Sequence, residues 1–447
     1  MHLDLTRGKE TRSILLFSLP IIAGNLLQQL YNVADTLIVG KFLGPVALAS
    51  VGSAGTLMVF LTSILLGLCM GCGVVFSQLY GAGDYERLRH SIGNGLILIG
   101  FATLVINVLA FWLLDLMLRL LSIPHEALAG TRTYLLWIFA GFSFTFIYNF
   151  FAAALRSIGN SMIPLVFLAV AAVTNIVLDI LFVIPPISWG VAGAAIATVI
   201  AQALSALAIA VYSFFKVPEI RPAARHFRPN RVLLRQMLGH SSLTSLQQSI
   251  MNFGILMIQG LVNSFGIAAM AAFAAAVKID AFAYMPVQDF GNAFATFVAQ
   301  NKGARQPERI RRGLRASVTL SALFSLVISA LVYVFAQSLM FLFIEPSETE
   351  VLALGVQYLR IEGLFYPLIG WLFLLYALYR GLGYPSMSIL LTVISLGTRV
   401  ALAYLLAPAV GLTGIWWSIP IGWALADIVG FLVYRVRGKA LLRVGNI

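Results

Sequence analysis

Runs of apolar residues, broken at intervals by Gly, Pro or charged residues, organise this chain from end to end. Twelve such runs cover 13–39, 46–79, 91–118, 133–155, 162–184, 190–215, 237–262, 268–299, 316–344, 352–379, 386–407 and 412–434. A helix that crosses the hydrocarbon core of a bilayer needs about 20 mostly apolar residues, and every run is that long. Backbone amides in lipid must find partners within their own segment, so the runs predict helices. The short alternating pattern of a membrane barrel does not occur in them. The expectation is an all-α integral membrane protein with twelve transmembrane helices. The first run has the basic flank of a signal peptide. Its apolar stretch is too long for one and no small-residue cleavage site follows, so it is read as a span.

Composition and charge narrow the class. Of the 447 residues, 60% are apolar and 10% are charged, against about 25% charged in an ordinary soluble domain. A water-soluble enzyme could not hide that much apolar surface, and a disordered chain would not contain it. Lys and Arg number 29 against 17 Asp and Glu, a formal charge of +12. With the connections assigned to alternate sides, 23 positives fall on one side, Arg443 being the last of them. Three fall on the other: Lys41, Arg119 and Arg132. Lys and Arg accumulate on cytoplasmic loops, which puts both termini in the cytoplasm and the chain in the cell membrane. Scattered in this way the positives are membrane anchors, and nucleic-acid binding is not expected. Cys69 and Cys72 lie in Leu68-Cys69-Met70-Gly71-Cys72-Gly73. With no third Cys and no His inside a span to complete a metal site, they read as small packing residues.

The chain also repeats itself. Gln78 to Arg89 lies over Gln300 to Arg311 at an offset of 222, with six of twelve positions identical. Gly44, Ala47 and Ala49 fall on Gly266, Ala269 and Ala271 at the same offset. Arg156, Gly159 and Thr174 fall on Arg380, Gly383 and Thr398 at offset 224, and Gly190 and Gly193 on Gly411 and Gly414 at offset 221. Each repeat holds six spans. An even number makes both halves enter from the same side, the parallel kind of repeat found in transporters, with substrate near the midplane between the halves. The predicted lobes are 1–218 and 219–447, joined through a basic, Pro-containing stretch at 216–235.

Polar residues inside the spans point to chemistry. A charged group deep in a bilayer costs about 2.5–3.5 kcal/mol on insertion scales, so it should face an interior and have a task. Asn25, Gln28, Asn32 and Asp35 are spaced by 3, 4 and 3 on the first span, which is one face of a helix. Asn175 and Asp179 are four apart on the fifth. Two carboxylates with neighbouring carboxamides offer hard oxygen ligands for a proton or a small cation. Asn25 and Gln28 also suit hydrogen bonding between helices. The repeat places Met257, Arg399 and Ala403 over Asp35, Asn175 and Asp179. The acid pair is not copied, and a coupling site confined to the first half is expected. The seventh span carries an uncharged stripe instead: Gln248, Asn252, Gln259 and Asn263. On the eighth, Lys278, Asp280 and Asp289, joined by Phe282, Tyr284 and Met285, read either as a wall for substrate or proton relay or as structural ion pairs. Later spans add Glu362, Arg399 and Asp427.

These segments resemble a known family. Leu19-Pro20-Ile21-Ile22-Ala23, the stretch from Asn32-Val33-Ala34-Asp35-Thr36 to Gly44, and Gln78-Leu79-Tyr80-Gly81-Ala82-Gly83-Asp84 resemble the multidrug and toxic compound extrusion (MATE) family. So do Leu155-Arg156-Ser157-Ile158-Gly159-Asn160-Ser161 and Thr174-Asn175-Ile176-Val177-Leu178-Asp179. The likeness spans nearly the whole chain and includes the plan of six helices followed by six. It implies export of bulky, often cationic compounds by alternating access in exchange for H⁺ or Na⁺. No cofactor beyond that ion gradient is implied, and the chain is expected to act as a monomer. By the resemblance, Asp35, Asn175 and Asp179 match the family's first-half cation site. Thr198 matches a further ligand, and Pro20 a proline that permits the first helix to bend.

One branch of the family carries extra acids on helices 7 and 10. Here the middle of helix 7 has Gln247 and Gln248, and helix 10 from Leu364 to Tyr379 has no acid. A second-half sodium site of that kind is therefore not expected. Three rivals are weaker. A major-facilitator transporter would read G-x-x-x-D-R-x-G-R-R where this chain runs from Gly81 to His90 with a poor match. A lipid-precursor flippase would more often have fourteen spans and a strongly cationic central cavity. A polytopic membrane enzyme should show a nucleophile, His or metal cluster at the interface.

Overall fold

The computed structural model describes residues 3–120, 123–185 and 187–442; Arg443 lies outside them. The first half comprises α1 (Glu10–Gly81), α2 (Tyr85–Trp112), α3 (Leu114–Leu120), α4 (His125–Ser157), α5 (Met162–Val183) and α6 (Gly190–Lys216). Two short 3₁₀ turns, Pro218–Ile220 and Ala224–Phe227, lead on. The second half comprises α7 (Arg231–Asn263), α8 (Ile267–Gly303), α9 (Pro307–Met340), α10 (Thr349–Leu364), α11 (Tyr366–Gly381), α12 (Pro385–Val410) and α13 (Leu412–Leu441).

The helices resolve into twelve spans. α1 has 72 residues, about 108 Å at 1.5 Å per residue, far beyond a hydrocarbon core of about 30 Å. It is two spans. At Gly44 the backbone leaves the helix (φ 82°, ψ −176°), and Pro45 begins the next one. Proline has no N–H to donate and a fixed φ suited to a first helical turn, so it starts a helix well. Pro20 sits inside the first of the two spans, where the same missing donor weakens the ladder locally. α10 and α11 form one span bent by 54° at Phe365, and α3 continues α2 past Leu113. Nine helices of the described residues are each long and apolar enough to cross a membrane. Counting α1 twice, the bent pair once and the polar-striped α7 once completes twelve, six in each half.

The repeat extends to the backbone. Eight of the ten described residues with positive φ fall in matched pairs: Gly44 (φ 82°) with Gly266 (99°), Gly83 (72°) with Arg305 (56°), Gly159 (89°) with Gly383 (81°), and Gly190 (60°) with Gly411 (65°). The turns close with matching hydrogen bonds. Gly83 N–H donates to Tyr80 O at 3.0 Å and Asp84 N–H to Leu79 O at 3.1 Å. Arg305 N–H donates to Lys302 O at 3.0 Å and Gln306 N–H to Asn301 O at 2.8 Å. Arg305 alone among these turn residues is not glycine, and it carries the steric cost of a Cβ in that conformation.

Packing divides the chain at places other than the repeat boundary. One compact unit is Met1–Asp4 with Leu19–Ser245; the other is Leu5–Ser18 with Leu246–Ile447. The lobes expected at 1–218 and 219–447 therefore differ from the packing units at both ends. The connection after α6 is fastened to α2. Asn94 Nδ2 donates to the carbonyls of His226 (3.0 Å) and Arg228 (3.1 Å), and Asn230 N–H donates to Asn94 Oδ1 (2.9 Å). The first turns of α7 press on α1 so closely that a Cβ on Gly67 or Gly71 would collide with the backbone of Ser245 or Ser241. Cys69 and Cys72 are free and buried there, with Cys72 Sγ 3.3 Å from Ser241 Oγ, in the packing role expected of them. Residues 5–18 go with the second unit because Asn301 Nδ2 donates to Leu5 O (3.0 Å) and Arg309 Nη1 to Gly8 O (2.7 Å).

Candidate functional site

Helical periodicity aims Asp35 on α1 and Asp179 on α5 at a common point. Their carboxyl groups face each other at interaction distance. Asp179 is fully buried, Asn175 is 2% exposed, and Asp35 is half-buried. One turn before Asp179, Asn175 donates from Nδ2 to Thr198 Oγ1 of α6 at 3.3 Å. Thr198 Oγ1 in turn donates to Ala194 O at 3.0 Å. That leaves Asn175 Oδ1 without a partner, together with Asp35 Oδ1 and both oxygens of Asp179. Tyr134 of α4 lies within electrostatic reach of both acids and within hydrogen-bonding reach of Thr198. Unsatisfied buried oxygens are costly, and several in one place form a ready ligand set for a proton or a hard cation.

The rest of the first-helix face is less enclosed. Asn25 is half-buried, Gln28 and Asn32 are exposed, and Pro20 is buried. The spacing was sufficient to place them on one side of the helix, but only Asp35 joins the acid cluster. Tyr31, one turn before Asp35, interacts with both Gln28 and Asp35.

The expected wall on α8 divides. Lys278 and Phe282 are exposed, and the Lys278 ammonium lies 5.8 Å from the Phe343 ring centre. Asp280 is buried, as is Asp289, while Tyr284 and Met285 are half-buried. Lys278 and Asp289 thus do not share one environment, because neighbouring helices cover one side of α8 and leave the other bare. On α7 a similar division holds. Gln248 and Asn252 are half-buried, whereas the adjacent Gln247 is 1% exposed and donates from Nε2 to Thr392 Oγ1 at 3.1 Å.

Sequence reasoning missed a second acid pair. Asp280 of α8 faces Glu362 of α10 at interaction distance. Tyr358 Oη donates to Asp280 Oδ2 at 3.4 Å, Tyr366 faces Asp280, and Arg399 of α12 acts electrostatically on both acids. Glu362 lies three residues before the bend at Phe365, just outside the acid-free stretch from Leu364 to Tyr379. A signal existed. The 224-residue offset that matches Asn175 to Arg399 also matches Tyr134 to Tyr358.

A third cluster sits outside the spans. One ligand atom each from Glu86, His90 and His226 lies within 4.8 Å of the others, as in a metal site. Hydrogen bonding argues against that use. Ala223 N–H donates to His226 Nδ1 at 2.8 Å, which assigns the ring proton to Nε2, the atom 3.1 Å from Glu86 Oε1. His226 then has no free lone pair. Arg225 Nη2 also meets Glu86 Oε1, at 2.9 Å. The hydrogen bond from His226, aided by the Arg225 charge, holds the Glu86 carboxyl below the usual glutamate range. The cluster is a latch between α2 and the inter-repeat connection.

A family model described as MatE matches residues 20–181 and again 242–405, once in each repeat. The probable multidrug resistance protein YpnP of Bacillus subtilis is 32% identical over 446 residues, covering 98% of each chain. The multidrug export protein MepA of Staphylococcus aureus is 25% identical over 439 residues, covering 96% of this chain and 94% of its own. Among solved structures, a MOP superfamily transporter from Pyrococcus furiosus with a binding pocket of reversed polarity superposes with a TM-score of 0.93, at 26% identity over 99% of each chain. A MATE protein solved in a straight and in a bent conformation superposes with TM-scores of 0.90 and 0.89, 26% identical over 98% of each chain.

Proposed function

Because this chain belongs to the multidrug and toxic compound extrusion family, we propose that it exports xenobiotics or organic cations in exchange for H⁺ or Na⁺ by alternating access. The chain is a multi-pass membrane transporter of small molecules and not an enzyme. The finer reading rests on one observation: Asp35 and Asp179, from α1 and α5, face each other with three of their four oxygens unpartnered.

An external proton or sodium ion neutralises that pair, with Asn175 Oδ1 and Thr198 completing the ligand set. Charge neutralisation removes the repulsion between the two acids and shifts the population of states, because an ion moves an equilibrium only by its differential affinity for them. Pro20 gives the first span a weak point at which to bend. One charge moving down a potential of 100 mV yields about 2.3 kcal/mol, enough for modest uphill export. Aromatic and carboxamide groups on α7 and α8, among them the exposed Phe282 and the half-buried Asn252, are suited to hold organic cations by cation–π and polar contacts. The protein works as a monomer in the cell membrane with both termini in the cytoplasm, and needs no cofactor beyond the ion gradient.

The test is a sensitivity panel of toxic cationic compounds in an efflux-deficient host, with and without a protonophore or a sodium ionophore. Expression should raise tolerance to several compounds, and collapse of one gradient should abolish the gain. Tolerance that survives loss of both gradients would overturn the coupling.

A further inference from the structure

The second half buries its own ionisable group, built differently from the first. Glu362 is 1% exposed and neither of its carboxyl oxygens has a hydrogen-bond partner. Asp280, 6% exposed, leaves Oδ1 unpartnered. Tyr366, 2% exposed, turns its hydroxyl toward Asp280 without closing a bond. Tyr358 is held rigid, its ring edge-on to Phe273 at 5.5 Å and to Trp416 at 4.9 Å. The groups that face Asp280 are Glu362 and Tyr358 from α10, Tyr366 from α11, Arg399 from α12 and Tyr284 on α8 itself. Lys278, two residues away, is exposed and lies by Phe343 instead.

Charge balance decides what this cluster holds. Two ionised carboxylates side by side repel, and two acceptors cannot hydrogen-bond each other, which is why three of their oxygens stand unpartnered. Arg399 balances one negative charge. The other must be removed by a proton or balanced by a bound cation, since an uncompensated charge in a dry interior is strongly disfavoured. A metal ion would be repelled by the guanidinium, which the first pair does not have beside it. A proton carries no such penalty, and it turns one carboxyl into the missing donor between the pair.

We propose that Asp280 and Glu362 form a second ion-exchange site that takes one proton and excludes sodium, with Arg399 as the positioning residue that sets this selectivity. The site spans the bend between α10 and α11, with Glu362 before Phe365 and Tyr366 after it. It deepens the coupling reading above but uses different residues, so the two can fail separately.

The experiment uses the purified full-length chain in lipid nanodiscs, with infrared titration of the carbonyl stretch of protonated carboxyl groups. An Asp35→Asn/Asp179→Asn background silences the first site. In that background a titrating band that belongs to the second pair should remain among those of the chain's other acids. It should be lost on adding Asp280→Asn or, independently, Glu362→Gln, and be unmoved by saturating NaCl. Adding Arg399→Gln should make it sodium-sensitive, which a merely structural arginine would not do. Titration bands unchanged by both acid variants, or displacement of the second pair's band by sodium with Arg399 in place, would each overturn the proposal. Intact wild-type proton exchange that survives Asp35→Asn/Asp179→Asn unchanged would instead count against the first-half reading.

Discussion

In the first half, Asp35 of α1 meets Asp179 of α5 beside the uncharged Asn175; in the second, Asp280 of α8 meets Glu362 of α10 beside Arg399. Asn175 and Arg399 occupy equivalent positions of the repeat, as do Tyr134 and Tyr358. The backbone turns match in both halves. One scaffold thus surrounds its acid pair with a neutral amide and the other with a fixed cation. On the function proposed above, the pair without a counter-charge would accept either H⁺ or Na⁺, whereas the pair with one would have a single negative charge left to neutralise. Duplication kept the geometry of the turns and changed the electrostatics of the interior.

Exchanging the two environments should give the largest effect on transport. Asn175→Arg would put a cation against Asp179 and should lower ion-driven export by at least about tenfold, equivalent to about 1.4 kcal/mol. Transport in vesicles together with radiolabelled sodium binding checks it. Near-normal export would mean the amide is not part of the coupling site.

Removing the counter-charge from the other half should cost stability. Arg399→Met leaves the remaining negative charge of the buried acid pair uncompensated, and breaking a buried ion cluster costs about 3–5 kcal/mol. Adding Glu362→Gln should restore most of the loss. Thermal unfolding in detergent of both single variants and the double variant measures the coupling, and strict additivity would deny that the two residues interact.

The latch outside the membrane gives a smaller, pH-dependent effect. The Glu86 carboxyl is held below its ordinary range by His226 and Arg225. A depressed carboxyl contributes stability above its unfolded value and loses it as pH falls through the folded one. Glu86→Gln should therefore lower the melting temperature at neutral pH, with the gap to wild type closing on acidification. Its repeat counterpart Glu308 pairs with Arg311 at 2.6 Å on the same helix, so Glu308→Gln should show little of this. The least change is expected at Arg305, whose φ of 56° suits glycine. Arg305→Gly should shift stability by no more than about 1–2 kcal/mol, in the favourable direction. Melting curves resolve that sign.

The spans and the faces that carry Asp35, Asn175 and Asp179 were legible because they depend on local periodicity, and the repeat because its residues match at a nearly fixed offset. Asn175 and Asp179 are one turn apart, and their face follows from spacing alone. The second pair escaped because Asp280, Glu362 and Arg399 come from three helices and meet only through packing. Periodicity on α8 gave a face for Lys278 and Asp289 but not which parts of it neighbours would cover. The packing boundary within α7 depends on Gly67 and Gly71 allowing close approach, which no composition shift announces.

The central claim is that the Asp35 and Asp179 pair carries the coupling ion. Its most direct test is export of a fluorescent organic cation from proteoliposomes under an imposed proton or sodium gradient, comparing wild type with Asp35→Asn and Asp179→Asn. The account predicts gradient-driven export in the wild type and its loss in both variants, with the cation still bound. Full gradient-driven export in either variant would contradict it.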